Sequence, residues 1–576
     1  MLSCALLSMA LAQTANAQNE TLKVNQVGYF AAQEKTAVIE ESCAEAKMEK
    51  VKIVNKQNGK VVWKGKPARQ ATSDISQKVR RIIDFSALTA PGEYQIVAGD
   101  AKADIVIADA PFAELSKAVI KAFYYQRMSM PIEEEYAGKW HRPAGHMDNE
   151  VYVHPSAATK ERPAGTVISS AKGWYDAGDY NKYIVNSGFS IGMMLSAYEQ
   201  NKAYYADLNI NIPESKNDVP DILDEIYYNI QWMQTMQDSD GGLYHKLTTP
   251  NFEGFVAPAD CHQKRYVVQK TTAASLDFAA SMAMASRCYA EYESTFPGFA
   301  KTAIEQAEKA YAWAKANPNI PYNQNEMNKK YDPDVTTGAY DDQHFEDEFF
   351  WAATELYFPT GKAQYREDAL KYLPSRYTPA SWGNVYGLGI TEWILHKNLT
   401  MSDENVAKNL RPMLIDYLKP MVEAAETSCY QSPYGNTARD FFWGCNSAGC
   451  CQRGLDMLYA YTITGEEIYK VNALRTVNNL LGENATGYCY VTGFGTKPTS
   501  HPHHRLSASN PNGALPGFLA GGPNPGQQDK NDSLVYPTSI ADESYLDNAD
   551  SYASNEIAIN WNATLVALVG WIDSLK

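Results

Sequence analysis

The sequence predicts a chain in two parts: an all-β sandwich over residues 20–108, then a mainly α domain over 112–576. Three observations carry this. Short β-rich runs broken by frequent turns fill the N-terminal part. The hydrophobic period changes to 3.6 from Phe112 onward. About a dozen helical stretches then follow, alternately apolar all round and amphipathic, a pattern that fits helical hairpins arranged in a ring.

Taken in order, residues 2–17 form a short apolar segment ending Ala15-Asn16-Ala17, which reads as a secretory signal peptide cut before Gln18. The expected location is secreted, periplasmic or cell-surface. The runs 21–29, 36–39, 51–54 and 61–63 read as strands, and Asn58-Gly59 between the last two is a hairpin turn signal. Pro91-Gly92 turns into a strand at 94–97, a further strand at 104–107 closes the set, and Ala108-Asp109-Ala110-Pro111 reads as the boundary. In the second part, Ile222, Leu223, Ile226, Ile230 and Met233 share one helical face. Residues 271–289 are apolar nearly all round, as an inner helix requires, and 454–463 form another such run, stopped by Thr464-Gly465. Long loops are expected at 128–172, 317–343 and 484–550, where they would build a cleft at one end of the ring.

Gross properties narrow the function. A net charge of −16 argues against nucleic acid, whose binding rests on cationic side chains, and against an acidic polymer as substrate. A mean hydropathy of −0.41 fits a soluble globular protein, and a monomer is expected. No run after the leader reaches the ~18 apolar residues of a membrane span. The 38 Tyr and 11 Trp suit carbohydrate, or else fill helix interfaces. Nine Cys without a Cys-x-x-Cys pair read as free buried thiols, with a disulfide among the later ones as the alternative.

Three constellations carry chemistry. The first is Gly173-Trp174-Tyr175-Asp176-Ala177-Gly178-Asp179-Tyr180. Its glycines allow unusual backbone angles, its aromatics offer faces to a sugar ring, and a following helix would favour ionised Asp176 and Asp179. The alternative is a surface turn whose Asp side chains bond their own backbone. The second is Tyr545-x-Asp547 followed by residues 552–563, where Glu556 stands before an apolar terminal helix. Fenced by Tyr552, Ile557 and Trp561, it would be desolvated and hold its proton near neutrality; the alternative is a capping glutamate. The third is His501-Pro502-His503-His504-Arg505, which lacks zinc-site spacing and suits hydrogen bonding to sugar hydroxyls. Two carboxyl groups on separate loops meet the needs of glycoside hydrolysis, with an acid for the leaving oxygen and a carboxylate for water or direct attack. Trp443 is a further candidate platform, or a core residue.

Four ordered stretches resemble glycoside hydrolase family 9, the cellulase-like group with an N-terminal immunoglobulin-like domain. They are Asn25-Gln26-Val27-Gly28-Tyr29, the Asp-Ala-Gly-Asp run 176–179, residues 491–495 through 503–505, and 545–563. The resemblance implies an (α/α) toroid of six hairpins and an inverting mechanism, with Asp179 as general base and Asp176 holding the water. Glu556 is then the general acid, His503 and Arg505 bind sugar, and Asp547 supports the site. Many members hold zinc with two Cys and two His ahead of the Asp motif. Here that region reads Arg127-Met128-Ser129 and Pro143-Ala144-Gly145-His146; His146 remains and the Cys residues do not, so zinc is not expected there. Residues 343–348 resemble the family's calcium loop, with Asp347, Glu348 and the distal Asn384 as oxygen ligands; the alternative is an acidic helix start.

The expectation is an inverting endo-β-1,4-glucanase needing no cofactor for its chemistry, with cellulose, xyloglucan or mixed-linkage glucan as substrate. Its rivals are an exo-acting glucosidase or glucosaminidase on the same scaffold, a carbohydrate-binding protein without turnover, and metal-dependent hydrolysis through the His cluster. The N-terminal domain is expected to pack on the toroid through the 108–112 junction.

Overall fold

A computed structural model describes residues 21–41, 50–442 and 449–575. The segment 1–17, expected as a signal peptide, and Trp443 lie outside them. The N-terminal part has nine strands: β1 (Leu22–Lys23), β2 (Tyr29–Phe30), β3 (Thr36–Glu41), β4 (Val51–Asn55), β5 (Val61–Gly65), β6 (Arg69–Thr72), β7 (Val79–Asp84), β8 (Gly92–Ala98) and β9 (Ala101–Ala108). They form two sheets, in the orders β1-β3-β7-β6 and β2-β9-β8-β4-β5. Alternate residues of both, among them Ala37, Ile83, Ile53, Ile96 and Ile105, share one core, as a sandwich requires. The β4–β5 hairpin turns at Asn58-Gly59, where Gly59 takes a φ of +69°, open to glycine without strain. β6 and β7 were not anticipated, because Arg80 and Arg81 interrupt the alternation that marks a strand.

Twelve helices of nine or more residues are found among the described residues. They are α1 (Ala113–Gln126), α2 (Ile184–Gln200), α3 (Asp221–Thr235), α4 (Thr272–Tyr289), α5 (Phe299–Ala316), α6 (Glu346–Thr360), α7 (Ala363–Lys371), α8 (Tyr386–Leu395), α9 (Met401–Ala425), α10 (Cys450–Thr464), α11 (Glu467–Leu480) and α12 (Ile559–Ser574). Six pack in a closed inner ring, α2-α4-α6-α8-α10-α12 and back to α2. Each has an outer partner: α3, α5, α7, α9 and α11 for the first five, and α1 for α12. Their burial follows from position. Every residue of α4 except Arg287 is buried, whereas α3 buries the stripe Ile222, Leu223, Ile226, Ile230 and Met233 among its polar positions. Among the described residues no helix is long and apolar enough to cross a membrane, and the six described cysteines are free thiols.

The connection expected as a loop over 128–172 carries short strands instead. β10 (Val151–Val153), β11 (Val167–Ile168), β12 (Lys182–Tyr183), β13 (Lys246–Thr248) and β14 (Arg265–Val267) form a mixed sheet ordered β11-β10-β14-β13-β12. Strands of two or three residues are too short to show a period of two in sequence.

The sandwich meets the toroid through apolar and polar contacts. Phe30 stacks edge-on to Phe112 at 5.3 Å, beside the 108–112 junction. Gln26 donates its N–H to the Leu481 carbonyl and accepts from the N–H groups of Thr496 and Lys497. Arg475 forks onto Glu34. Arg80, fully buried, reaches Glu40 of its own sheet and Glu543 of the toroid at 3.0 and 3.4 Å. Truncating one member of such a group leaves its partners charged and desolvated. Arg80→Ala should therefore lower unfolding free energy by about 3–5 kcal/mol in urea denaturation; a loss under ~1 kcal/mol, the scale of an exposed pair, would show that the cluster is solvated.

Candidate active site

The stretch 173–180 hangs from the C-terminus of α1 and ends at α2. The Tyr175 N–H donates to the Gln126 carbonyl, and the Ile559 N–H at the start of α12 donates to the Asp176 carbonyl. Gly173 takes a φ of +87°. Gly178 does not adopt a positive φ; its role is close approach, since a Cβ there would lie 2.3 Å from the His503 carbonyl oxygen and 3.0 Å from Glu556 Oε1. That contact brings the first and last constellations together. Asp176, Asp179, His503, Arg505, Tyr552, Glu556 and Trp561 line one cavity of about 610 Å³.

Asp176 is buried, with Oδ1 accepting from Asn186 at 2.8 Å and Oδ2 from the Tyr340 hydroxyl at 2.6 Å. Burial, and after it the charge of Asp179, pushes its carboxyl up to about 8. The expectation that the helix start would favour ionisation is thus corrected: desolvation and like-charge repulsion outweigh the donors. Asp179 accepts through Oδ2 from Asn181 and from the Tyr183 hydroxyl at 3.0 Å, so Oδ1 is free to accept from a water. Glu556 accepts the Gly178 N–H at 3.2 Å on Oε1. Burial first, then Asp179, raises its carboxyl to about 8, so it carries a proton at neutral pH.

The histidines do not converge on one ion. His501 is exposed beside Asp547, and His504 is buried between Ser507 and Gln126. His503 pairs Nδ1 with the Ala549 carbonyl at 2.6 Å, and burial holds its ring below the usual histidine range, which leaves Nε2 as an acceptor. Arg505 donates Nε to the Glu253 carbonyl and Nη1 to the Gly178 carbonyl, which fixes its guanidinium at the cleft. Asp547 lies behind the cleft, accepting the N–H groups of Ser500 and His501; it holds the turn that leads to His503.

Two expected platforms are corrected. Trp174 is fully buried with Nε1 on Glu225, and Tyr175 is fully buried with its hydroxyl on His146, so neither face can meet a sugar. Tyr180 of the same stretch is buried as well. The aromatics that do line the cleft include Phe252, Tyr340 and Trp382, which sequence reasoning missed. Of these only Tyr340 falls in a loop whose length marked it in sequence, the stretch 317–343. A second, larger cavity, of about 1100 Å³, opens at the other end of the ring, but there Glu199 and Glu392 pair with Arg287.

At the start of α6, Asp347 Oδ2 accepts the Val385 N–H, while both Glu348 oxygens and Asn384 Oδ1 lack hydrogen-bond partners although shut off from solvent. Asp277 of α4, buried in an apolar helix and unflagged by sequence, brings two more such oxygens. Burial, then Asp342 and Asp347, pushes Asp277 well above the carboxylate range, and burial, then Asp347, does the same for Glu348. Unpartnered hard oxygens of this kind fit a calcium ion.

Residues 112–569 match Glycosyl hydrolase family 9, and residues 17–103 match the Cellulase N-terminal ig-like domain. The chain is 54% identical over 560 residues to the xyloglucan-specific endo-beta-1,4-glucanase BoGH9A of Bacteroides ovatus, covering 97% of this chain and 94% of that protein. It is 30% identical to Endoglucanase D of Acetivibrio thermocellus, over 96% of this chain and 83% of that one. A solved Bacteroides ovatus GH9 structure superposes with a TM-score of 0.93 at 52% identity, covering 97% of this chain and 100% of that one. With its helical ring, its sandwich and its cleft carboxyls, the chain belongs to glycosyl hydrolase family 9.

Proposed function

We propose that the chain is an inverting endo-β-1,4-glucanase that acts on xyloglucan. The observation that carries the reading is a proton-holding carboxyl, Glu556, in one cleft with the carboxyl pair Asp176 and Asp179. Glu556 gives its proton to the glycosidic oxygen as the bond to the anomeric carbon breaks. A water held at Asp179 Oδ1 attacks the opposite face of the sugar and passes its proton to Asp179. Solvent then returns a proton to Glu556 and takes one from Asp179. Asp176, whose oxygens already accept from Asn186 and Tyr340, orients the water more than it deprotonates it. Inversion needs carboxyls about 6.5–9.5 Å apart, with room for that water. The choice of xyloglucan is supported by the name of the 54% identical relative and by the aromatic rim of Phe252, Trp382 and Tyr552, which offers apolar faces to a branched chain. Export belongs to the same reading: the apolar segment 2–17 supports it, and the polymer is too large to enter a cell unaided. A structural calcium on Asp347, Glu348, Asp277 and Asn384 is part of it too; such an ion would offset the charge of these carboxylates, which come from the packed helices α4 and α6. Product lengths on xyloglucan, cellulose and mixed-linkage glucan test the substrate: early mid-chain cuts in xyloglucan above all others are expected.

Glu556→Gln should lower kcat on polymer by roughly 10²–10⁴ while sparing substrates with good leaving groups, because only leaving-group protonation is lost. In the wild type the rate should fall as pH rises through about 8, where Glu556 loses its proton, and this limb should vanish in the variant. Equal loss on both substrate types would remove Glu556 from the role.

Proton NMR of the first minutes of hydrolysis should show the α anomer first. Asp179→Asn should abolish most of that rate, with Asp176→Asn milder. A β anomer appearing first would mean attack by a protein carboxylate.

Calcium added to chelator-treated protein should raise the melting temperature, by mass action worth about 2.7 kcal/mol at a hundredfold excess over Kd. Glu348→Gln should blunt the shift, and an unchanged melting temperature in the wild type would refute the site.

A further inference from the structure

The loop from Thr249 to Cys261 runs along the cleft. Its Phe252 lines the cavity, its Phe255 meets His503 edge-on at 5.4 Å, and both rings lie over the Arg505 guanidinium, at 5.5 and 5.3 Å. Phe252, Phe255 and Val256 are exposed, so burial of these apolar side chains does not hold the loop. Behind them, a His146 ring nitrogen, a Glu253 carboxylate oxygen and the Cys261 sulfur lie within 4.8 Å of one another. His146 Nε2 and Glu253 Oε1 are closed to solvent and without a hydrogen-bond partner. Buried polar atoms nearly always have partners, and two such atoms beside a thiol point to a shared cation.

We propose that His146, Glu253 and Cys261 hold a zinc ion that pins this loop against the body of the domain. The donor set fits. One nitrogen, one oxygen and one sulfur are zinc's usual mixture, with a fourth place for water. Tetrahedral bonds of the usual lengths set ligand atoms roughly 3.6 Å apart, so side-chain shifts of about an ångström close the group. His146 Nδ1 is tied to the Tyr175 hydroxyl at 2.9 Å, the outer contact that orients a ligating imidazole. Burial, then Arg265, Lys182 and Arg142, keeps the His146 ring neutral, as a ligand must be. Burial, then Glu253, pushes the Cys261 thiol up to about 12; on binding, the S–H proton leaves to solvent as the Zn–S bond forms, and thiolate and carboxylate together balance the 2+ charge. The set shares only His146 with the region where many family members carry two Cys and two His; Glu253 and Cys261 come from another loop.

The test uses the full chain, stripped with chelator, loaded with zinc or cobalt(II) and dialysed. One zinc per chain should remain by elemental analysis. The cobalt form should show a thiolate-to-metal charge-transfer band, lost in Cys261→Ser and weakened in Glu253→Gln. In the wild type, zinc should also protect Cys261 from iodoacetamide, read by peptide mass, which needs no variant to fold. Failure to retain zinc, a band that survives in Cys261→Ser, or alkylation of Cys261 at the same rate with and without zinc would each overturn the proposal. None of these readouts depends on hydrolytic activity.

Discussion

Three carboxyl groups line one cleft, and the chain must hold them against their mutual repulsion. Residue 178 makes this arrangement fit. The backbone between Asp176 and Asp179 passes so close to His503 and Glu556 that no side chain can stand there. The Gly178 N–H donates to Glu556 and the Gly178 carbonyl accepts from Arg505, so one residue of the first constellation addresses both later ones. Burial first, and after it repulsion from Asp179, raises Asp176 and Glu556 together and separates them in behaviour from the paired surface carboxylates.

The helical ring makes that approach possible for residues almost four hundred positions apart. α12 packs against α2 on one side and α10 on the other, and its first N–H holds the Asp176 carbonyl. The loops at this end of the ring then carry the chemistry while the inner helices supply a rigid floor. The sandwich stands outside this arrangement. It braces α11 through Glu34 and the connections after α11 through Gln26 and Arg80, and none of its described residues lines the cleft.

Much of this was legible in sequence, for definite reasons. Helices as long as α3 and α4 repeat their period often enough to reveal both existence and layer, and Asn58-Gly59 has few conformations open to it. Asp176, Asp179 and Glu556 stood out because each sits in a local pattern rich in glycine or aromatics. What escaped has equally physical causes. β7 buries Arg80 and Arg81, which contradict its alternation until Arg80's partners Glu40 and Glu543 and Arg81's partner Gln70 are known. Trp174 and Tyr175 look like platforms, but exposure is decided by what packs over them, here Phe123, Glu225 and His146. Tyr340 and Trp382 are single aromatics in irregular loops, and Asp277 is one acid in an apolar helix. Nothing around any of them in sequence marks the partner it meets.

Ring closure by α12 also sets when the protein can first exist as a working object. During synthesis the Asp176 loop emerges early, but its backbone carbonyl, its Gly178 N–H and one flank of α2 wait for residues near 556–574. Until those arrive, a half-made chain has a gap in its wall and only part of its cleft. Competence therefore comes late and all at once, so a prematurely released fragment would be inert, not weakly active.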